Sequence, residues 1–128
     1  MILQSEKAKS LILEIFSKLS VNNQVAQLCA EGLVQTSLRG IDTHGIRLVP
    51  HYVSAIESGR LNPTPDLKFK QTSSTTGILD ADHTLGYAAG VIAIQHAIEL
   101  AKESGTGFVS VKNSSHCGAL AYPCLKAC

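Results

Sequence analysis

The chain has 128 residues, 45% of them hydrophobic and 16% charged, and 11 Lys and Arg against 10 Asp and Glu leave a net charge of +1. That near-neutral balance, without a basic stripe, argues against a nucleic-acid partner, and no apolar run approaches the ~20 residues that span a membrane. The opening MILQSEKAKSLILEIF interleaves lysines with apolar residues, which is not a secretory layout; a cytoplasmic location is expected, with Cys29, Cys117, Cys124 and Cys128 as reduced thiols in no C-x-x-C spacing.

Residues 6–19 place Ala8, Leu11, Ile12, Ile15, Phe16 and Leu19 on one helical stripe, with Ser5 as the expected N-cap. Asn22 or Asn23 is suited to cap a second helix, on which Val25, Leu28, Cys29 and Leu33 share a face, running to about Arg39 before Gly40. A third helix carries Ile46, Val49, Val53 and Ile56 and ends at Gly59. Pro50 lies inside that stretch, so the helix either begins near Val49 or is kinked there. N-P-T-P at 62–65 is a stiff turn. LKFKQT and TGILD then read as two strands, residues 85–104 as a helix stopped by Gly105, and GFVSV at 107–111 as a third strand. After NSSHCG a last helix begins with ALAYPCLKAC and shows no stop signal. The chain is therefore expected to be a fragment that continues past Cys128. The predicted fold class is α+β: a helical N-terminal segment over 1–72, then over 73–128 the beginning of a mixed domain with the order β-β-α-β-α.

Two histidines stand among groups that could share a reaction. His44 lies in R-G-I-D-T-H-G-I-R, where Arg39, Asp42, Thr43 and Arg47 gather at a break between helices. An arginine there offers a planar fork for a carboxylate, although Asp42 could instead neutralise an arginine or cap a helix. His116 follows the third strand among small residues, which leave its ring accessible, and histidine is the side chain matched to proton transfer near neutrality. A purely structural turn capping the last helix is the plainer alternative. His51, His83 and His96 read as background. The cysteines at 124 and 128, with Cys117 behind them, could start a metal site; small apolar residues on a buried helix face are the simpler reading. No G-x-S-x-G elbow is present, and the G-x-G at 105–107 follows a helix and enters a strand, the reverse of the dinucleotide fingerprint.

Together R-G-I-D-T-H-G, P-H-Y, H-A-I-E-L-A-K-E-S-G-T-G-F-V-S-V and N-S-S-H-C-G-A-L-A-Y resemble the NAD(P)-dependent malate/L-lactate dehydrogenase family of the second type, over essentially the whole chain. That family also includes ureidoglycolate, sulfolactate and diketogulonate oxidoreductases. The resemblance implies a non-Rossmann cofactor domain beside a helical segment, a homodimer, and hydride transfer between NAD or NADP and a small 2-hydroxy or 2-oxo acid. It assigns His116 as the acid/base, His44 to the same pocket, Tyr52 to shaping the substrate site, and Arg47 to the substrate carboxylate, with Arg39 as the substitute. Many members carry the arginine one place later. Cys117 stands where others often have a bulky residue, and Pro123 where a tyrosine is common. Most cofactor contacts are implied to lie beyond Cys128, so the 128 residues alone are expected to be inactive. The competing reading is a non-catalytic remnant that only dimerises or binds a partner.

Overall fold

The computed structural model describes residues 3–128. Three helices come first, α1 (Ser5–Lys18), α2 (Asn23–Leu38) and α3 (Val49–Glu57), with two short 3₁₀ turns, Asp42–His44 and Ile46–Leu48, before α3. Strands β1 (Lys68–Gln71) and β2 (Thr76–Asp80), helix α4 (Gly86–Ser104), strand β3 (Phe108–Lys112) and helix α5 (Ala121–Leu125) follow. The α+β class and its element order agree with the sequence reading. The expected division at 72/73 falls in the turn that joins β1 to β2.

Each helix forms where its apolar spacing predicts, and the starts show why. Asn22 caps α2, its Oδ1 accepting from the amides of Gln24 at 3.0 Å and Val25 at 3.3 Å. Pro50 sits in the first turn of α3, where its missing N–H costs no hydrogen bond, so the helix begins at Val49 without a kink. Gly105 closes α4 in the left-handed conformation at φ 82°. Ser5, however, is the first helical residue of α1 and not its cap; Gln4 holds that position without a side-chain hydrogen bond.

The sheet has the order β1-β2-β3. β1 and β2 are antiparallel, with Phe69 opposite Leu79, whereas β2 and β3 are parallel, with Leu79 beside Val111, so α4 is the crossover of a βαβ unit. Alternation aims Leu79, Val109 and Val111 at Ile92 and Ala93 of α4, and the ring of Phe69 stacks on His96 with centroids 3.9 Å apart. The opposite face leaves Ile78 and Phe108 exposed. The first half of α4 is buried on nearly all sides, because its other face meets the helices. There Leu85, Tyr87, Ala88 and Val91 join Phe16, Val25, Cys29, Leu33, Tyr52 and Ile56 in the main core. At ~25 cal/mol per Å² of apolar surface, this face is the main source of cohesion between helices and sheet.

Three further expectations differ from the structure. Leu11, placed on the α1 stripe, is 52% exposed, while Ala8, Ile12 and Phe16 carry the burial. The last helix is five residues long and begins at Ala121, two residues after Ala119, whose amide donates to the hydroxyl of Tyr87 at 3.0 Å. Cys124 and Cys128, expected on a buried face, are exposed. What fastens this end is Lys126, 2.9 Å from Glu31 of α2 and 5.1 Å from the centroid of the Tyr122 ring; that ammonium is the main reason the Glu31 carboxyl titrates below its ordinary value.

Candidate active site

His44 closes the first 3₁₀ turn and His116 lies in the loop after β3, yet the fold brings their rings to 5.6 Å between centroids, stacked at 28°. The reason is a buried tyrosine. The Tyr87 hydroxyl donates to the carbonyl of His44 at 2.7 Å, receives the amide of Ala119 at 3.0 Å and lies 2.9 Å from Thr36 Oγ1 of α2. One phenol oxygen thereby ties together α4, α2 and both histidine segments. Gly118, at φ 63°, passes so close to the Tyr87 ring that any Cβ there would collide with it. Ser115 secures the same loop from the other side: its Oγ accepts the amide of Gly86 at 3.0 Å and donates to the carbonyl of Thr84 at 2.9 Å, serving as the cap α4 lacks in its own sequence.

Tyr52 projects from α3 with its hydroxyl 3.4 Å from both Nδ1 and the carbonyl oxygen of His116. The Gly118 amide donates to Nδ1 at 3.3 Å. These are long contacts of the kind that tighten when a ligand binds. A hydroxyl both donates and accepts: Tyr52 gives its proton to the His116 carbonyl, and with Nδ1 accepting from the Gly118 amide the neutral ring carries its proton on Nε2. Burial pushes the Tyr52 phenol well above its usual value, so it keeps its proton. His116 is shifted the other way. Burial holds its pKa below the ordinary 6.5, and the neighbouring charges of His44 and His51 lower it further. The shift favours the neutral imidazole. Thr43 Oγ1 lies 3.0 Å from His44 Nδ1 and orients that ring.

Tyr52 and His116 open onto a cavity of about 300 Å³. His51, Arg60 and Leu61 form its wall at the α3 end, and His83, Ser114 and Ser115 form the opposite side. The geometry therefore joins His44, Tyr52 and His116, but Arg47 stands apart: it is exposed on the second 3₁₀ turn, is not in the cavity wall and makes no ion pair among the described residues, with Asp42 or otherwise. Arg39 lies elsewhere, with Glu31, Gln35 and Tyr122. His51 and His83, read as background, line the cavity, and the sequence reading passed over Arg60. The adjacency of His51 to Tyr52 was one available signal. His83 is presented by a turn in which it and Asp82 both have positive φ, at 58° and 46°; no linear pattern announces that. The turn is pinned by Asp82, whose Oδ2 accepts from Asn62 Nδ2 at 2.8 Å and the Asp66 amide at 2.9 Å. Asp80 beside it is held at about 2, first by the hydrogen bond from Asn113, then by the Asp82 amide and Lys112.

Two stacked histidines and a tyrosine beside a small cavity lined by Arg60, His51 and His83, on a non-Rossmann α+β frame, set the geometry against which relatives can be compared. The chain belongs to the malate/L-lactate dehydrogenase family, whose model it matches over residues 3–128. It is similar to the L-sulfolactate dehydrogenase of Methanocaldococcus jannaschii, 37% identical over 122 residues, covering 95% of this chain and 36% of that one. It is also similar to the malate dehydrogenase of Pyrococcus abyssi, 35% identical over 118 residues, covering 92% and 33%. The solved malate dehydrogenase of Pyrococcus horikoshii superposes with a TM-score of 0.93 at 31% identity, over 98% of this chain and 36% of that one. The chain thus spans about a third of the length of these relatives. Within the described residues no helix is long and apolar enough to cross a membrane.

Proposed function

We propose that the polypeptide carrying this chain is a cytoplasmic, homodimeric oxidoreductase that moves a hydride between NAD or NADP and carbon 2 of a small 2-hydroxy or 2-oxo acid. The observation that carries the reading is the convergence of His44, Tyr52 and His116 at one cavity, and relatives named as malate and sulfolactate dehydrogenases support it. The apolar groove formed by Leu3, Leu11, Ile46 and Pro50 offers a face for the second subunit.

These residues fit the acid end of the reaction and not a whole dinucleotide. The cavity holds the volume of about ten water molecules, room for a small acid. The first turn of α4 could have faced a phosphate, but Ser115 Oγ already takes the Gly86 amide there, and the carbonyls of Ser115 and His116 leave no space even for a Cβ at Gly86. The cofactor, when bound, supplies or accepts the hydride. The chain's own residues manage charge and protons. The ring of His116 takes the hydroxyl proton during oxidation and returns it during reduction, Tyr52 holds the ring from the Nδ1 side, and His44 disfavours the imidazolium. Arg47, which the resemblance gives to the substrate carboxylate, is exposed and outside this cavity, so it places no carboxylate ligand there. In the polypeptide carrying residues 1–128, His116→Ala is expected to lower kcat by roughly 10²- to 10⁴-fold, the usual worth of a general acid/base, with cofactor affinity retained in a fluorescence titration. A near-normal kcat would transfer the role to His44.

A further inference from the structure

β2 and β3 run parallel and end together, with Asp80 beside Lys112, and the chain leaves both strands toward the cavity. One exit carries His83 into the wall, and the other carries Ser114, Ser115 and His116. Pairing continues one step past the ladder. The Ala81 amide donates to the Lys112 carbonyl at 3.0 Å, and the His83 amide donates to the Asn113 carbonyl at 2.7 Å. Asn113 accepts that bond from a left-handed backbone, at φ 50°, and Asp82 and His83 are left-handed too, at 46° and 58°. Such conformations are costly for residues other than glycine and persist only where their surroundings over-determine them.

One carboxylate supplies the restraint. Asp80 Oδ1 accepts from Asn113 Nδ2 at 3.0 Å and from the Asp82 amide at 3.2 Å, while Oδ2 pairs with Lys112 at 3.1 Å. The Asn113 side chain therefore ties the root of the His116 loop to the root of the His83 turn. Asn113 itself is exposed and outside the cavity wall, so it does not touch a ligand held there.

We propose that Asn113 is a positioning residue: its amide on Asp80 and its carbonyl on His83 set the width of the cavity and the reach of His116 across it. The inference rests on the dehydrogenase reading for what His116 does in that cavity. The carbonyl bond needs only the left-handed backbone, which glycine and aspartate also adopt, whereas the bond to Asp80 needs the amide. Displacing an acid/base group by about 1 Å can lower a rate on the order of 10²-fold.

The test compares the polypeptide carrying residues 1–128 with Asn113→Gly, with Asn113→Asp, and with the exchange that combines Asp80→Asn and Asn113→Asp. Glycine keeps the backbone and loses the amide. Aspartate keeps the shape but sets two carboxylates against each other. The exchange restores an amide–carboxylate pair with its donor on the other strand. With malate or lactate and NAD or NADP, each single variant is expected to lower kcat roughly ten- to hundred-fold while the cofactor KM is unchanged and the chain stays folded at the assay temperature. The exchange is expected to recover most of that loss, which a general weakening of the fold would not do. A wild-type kcat in either single variant, or an exchange no better than Asn113→Asp alone, would overturn the proposal. If the exchange fails to fold, the kcat of Asn113→Gly decides by the same criterion. Turnover of none of these acids by the wild type counts against the dehydrogenase reading and leaves the positioning to be read without substrate. Ring resonances of His83 and His116 displaced in Asn113→Gly then support it, and rings at their wild-type shifts overturn it.

Discussion

His116 shows how much one side chain's surroundings decide. Its pKa lies below the ordinary value because the loop is partly buried and because His44 and His51 add like charge. For hydroxy-acid oxidation the neutral ring is the working form, so kcat/KM should fall on the acid side through a pKa below the ~6.5 of a free histidine. His44→Asn removes one repelling neighbour and should move that acid limb upward; an unmoved limb would mean that His44 does not act on His116 electrically. Stability follows the same linkage. The unfolded chain binds the proton more readily, so this histidine's contribution is complete above ~6.5 and is lost as pH falls from there through the lower folded value.

At the scale of the element, two helices end their first turns in different ways. α2 carries its own cap in Asn22, a local signal visible in the sequence. α4 borrows Ser115 from 29 positions along the chain, a relation created only when β3 lies parallel to β2 and delivers the loop to the helix. The two caps are coupled to different things. Asn22→Ala should cost about 1 kcal/mol in urea denaturation and leave the histidine region undisturbed, as read from unchanged His116 resonances. The backbone amide of Asn22, which donates to the Pro63 carbonyl at 2.7 Å, is kept in the variant, so a loss well above 2 kcal/mol would show that the side chain does more than cap.

Across the whole molecule the Tyr87 hydroxyl is the point where helices, sheet crossover and both histidine segments meet. Tyr87→Phe keeps the ring that fills the core between Gly32 and Gly118 and removes the oxygen alone. It leaves the Ala119 amide, the His44 carbonyl and the Thr36 hydroxyl short of a partner, a cost of about 1–3 kcal/mol for an unsatisfied buried group. Chemical denaturation should register that loss, and hydrogen exchange of the Ala119 amide should accelerate. If stability and exchange both stay at wild-type values, the two segments are held by packing and not by this oxygen.

Local periodicity and punctuation determined most of the elements: the apolar spacing of α1 to α4, the alternation of β2 and β3, and stops at Gly105 and Pro50-directed starts all depend on neighbours a few residues away. His44, Tyr52 and His116 were likewise legible as a set through motifs and their resemblance. Tertiary structure decided the rest, because it depends on which distant segments meet. It kept α5 to five residues, and left Leu11 outside the core although it shares the helical stripe. It placed Arg47 outside the cavity and brought His51, Arg60 and His83 into it. A sequence states which groups a segment can offer; only packing settles which of those groups face the same few ångströms of space, and a binding site is a property of that space.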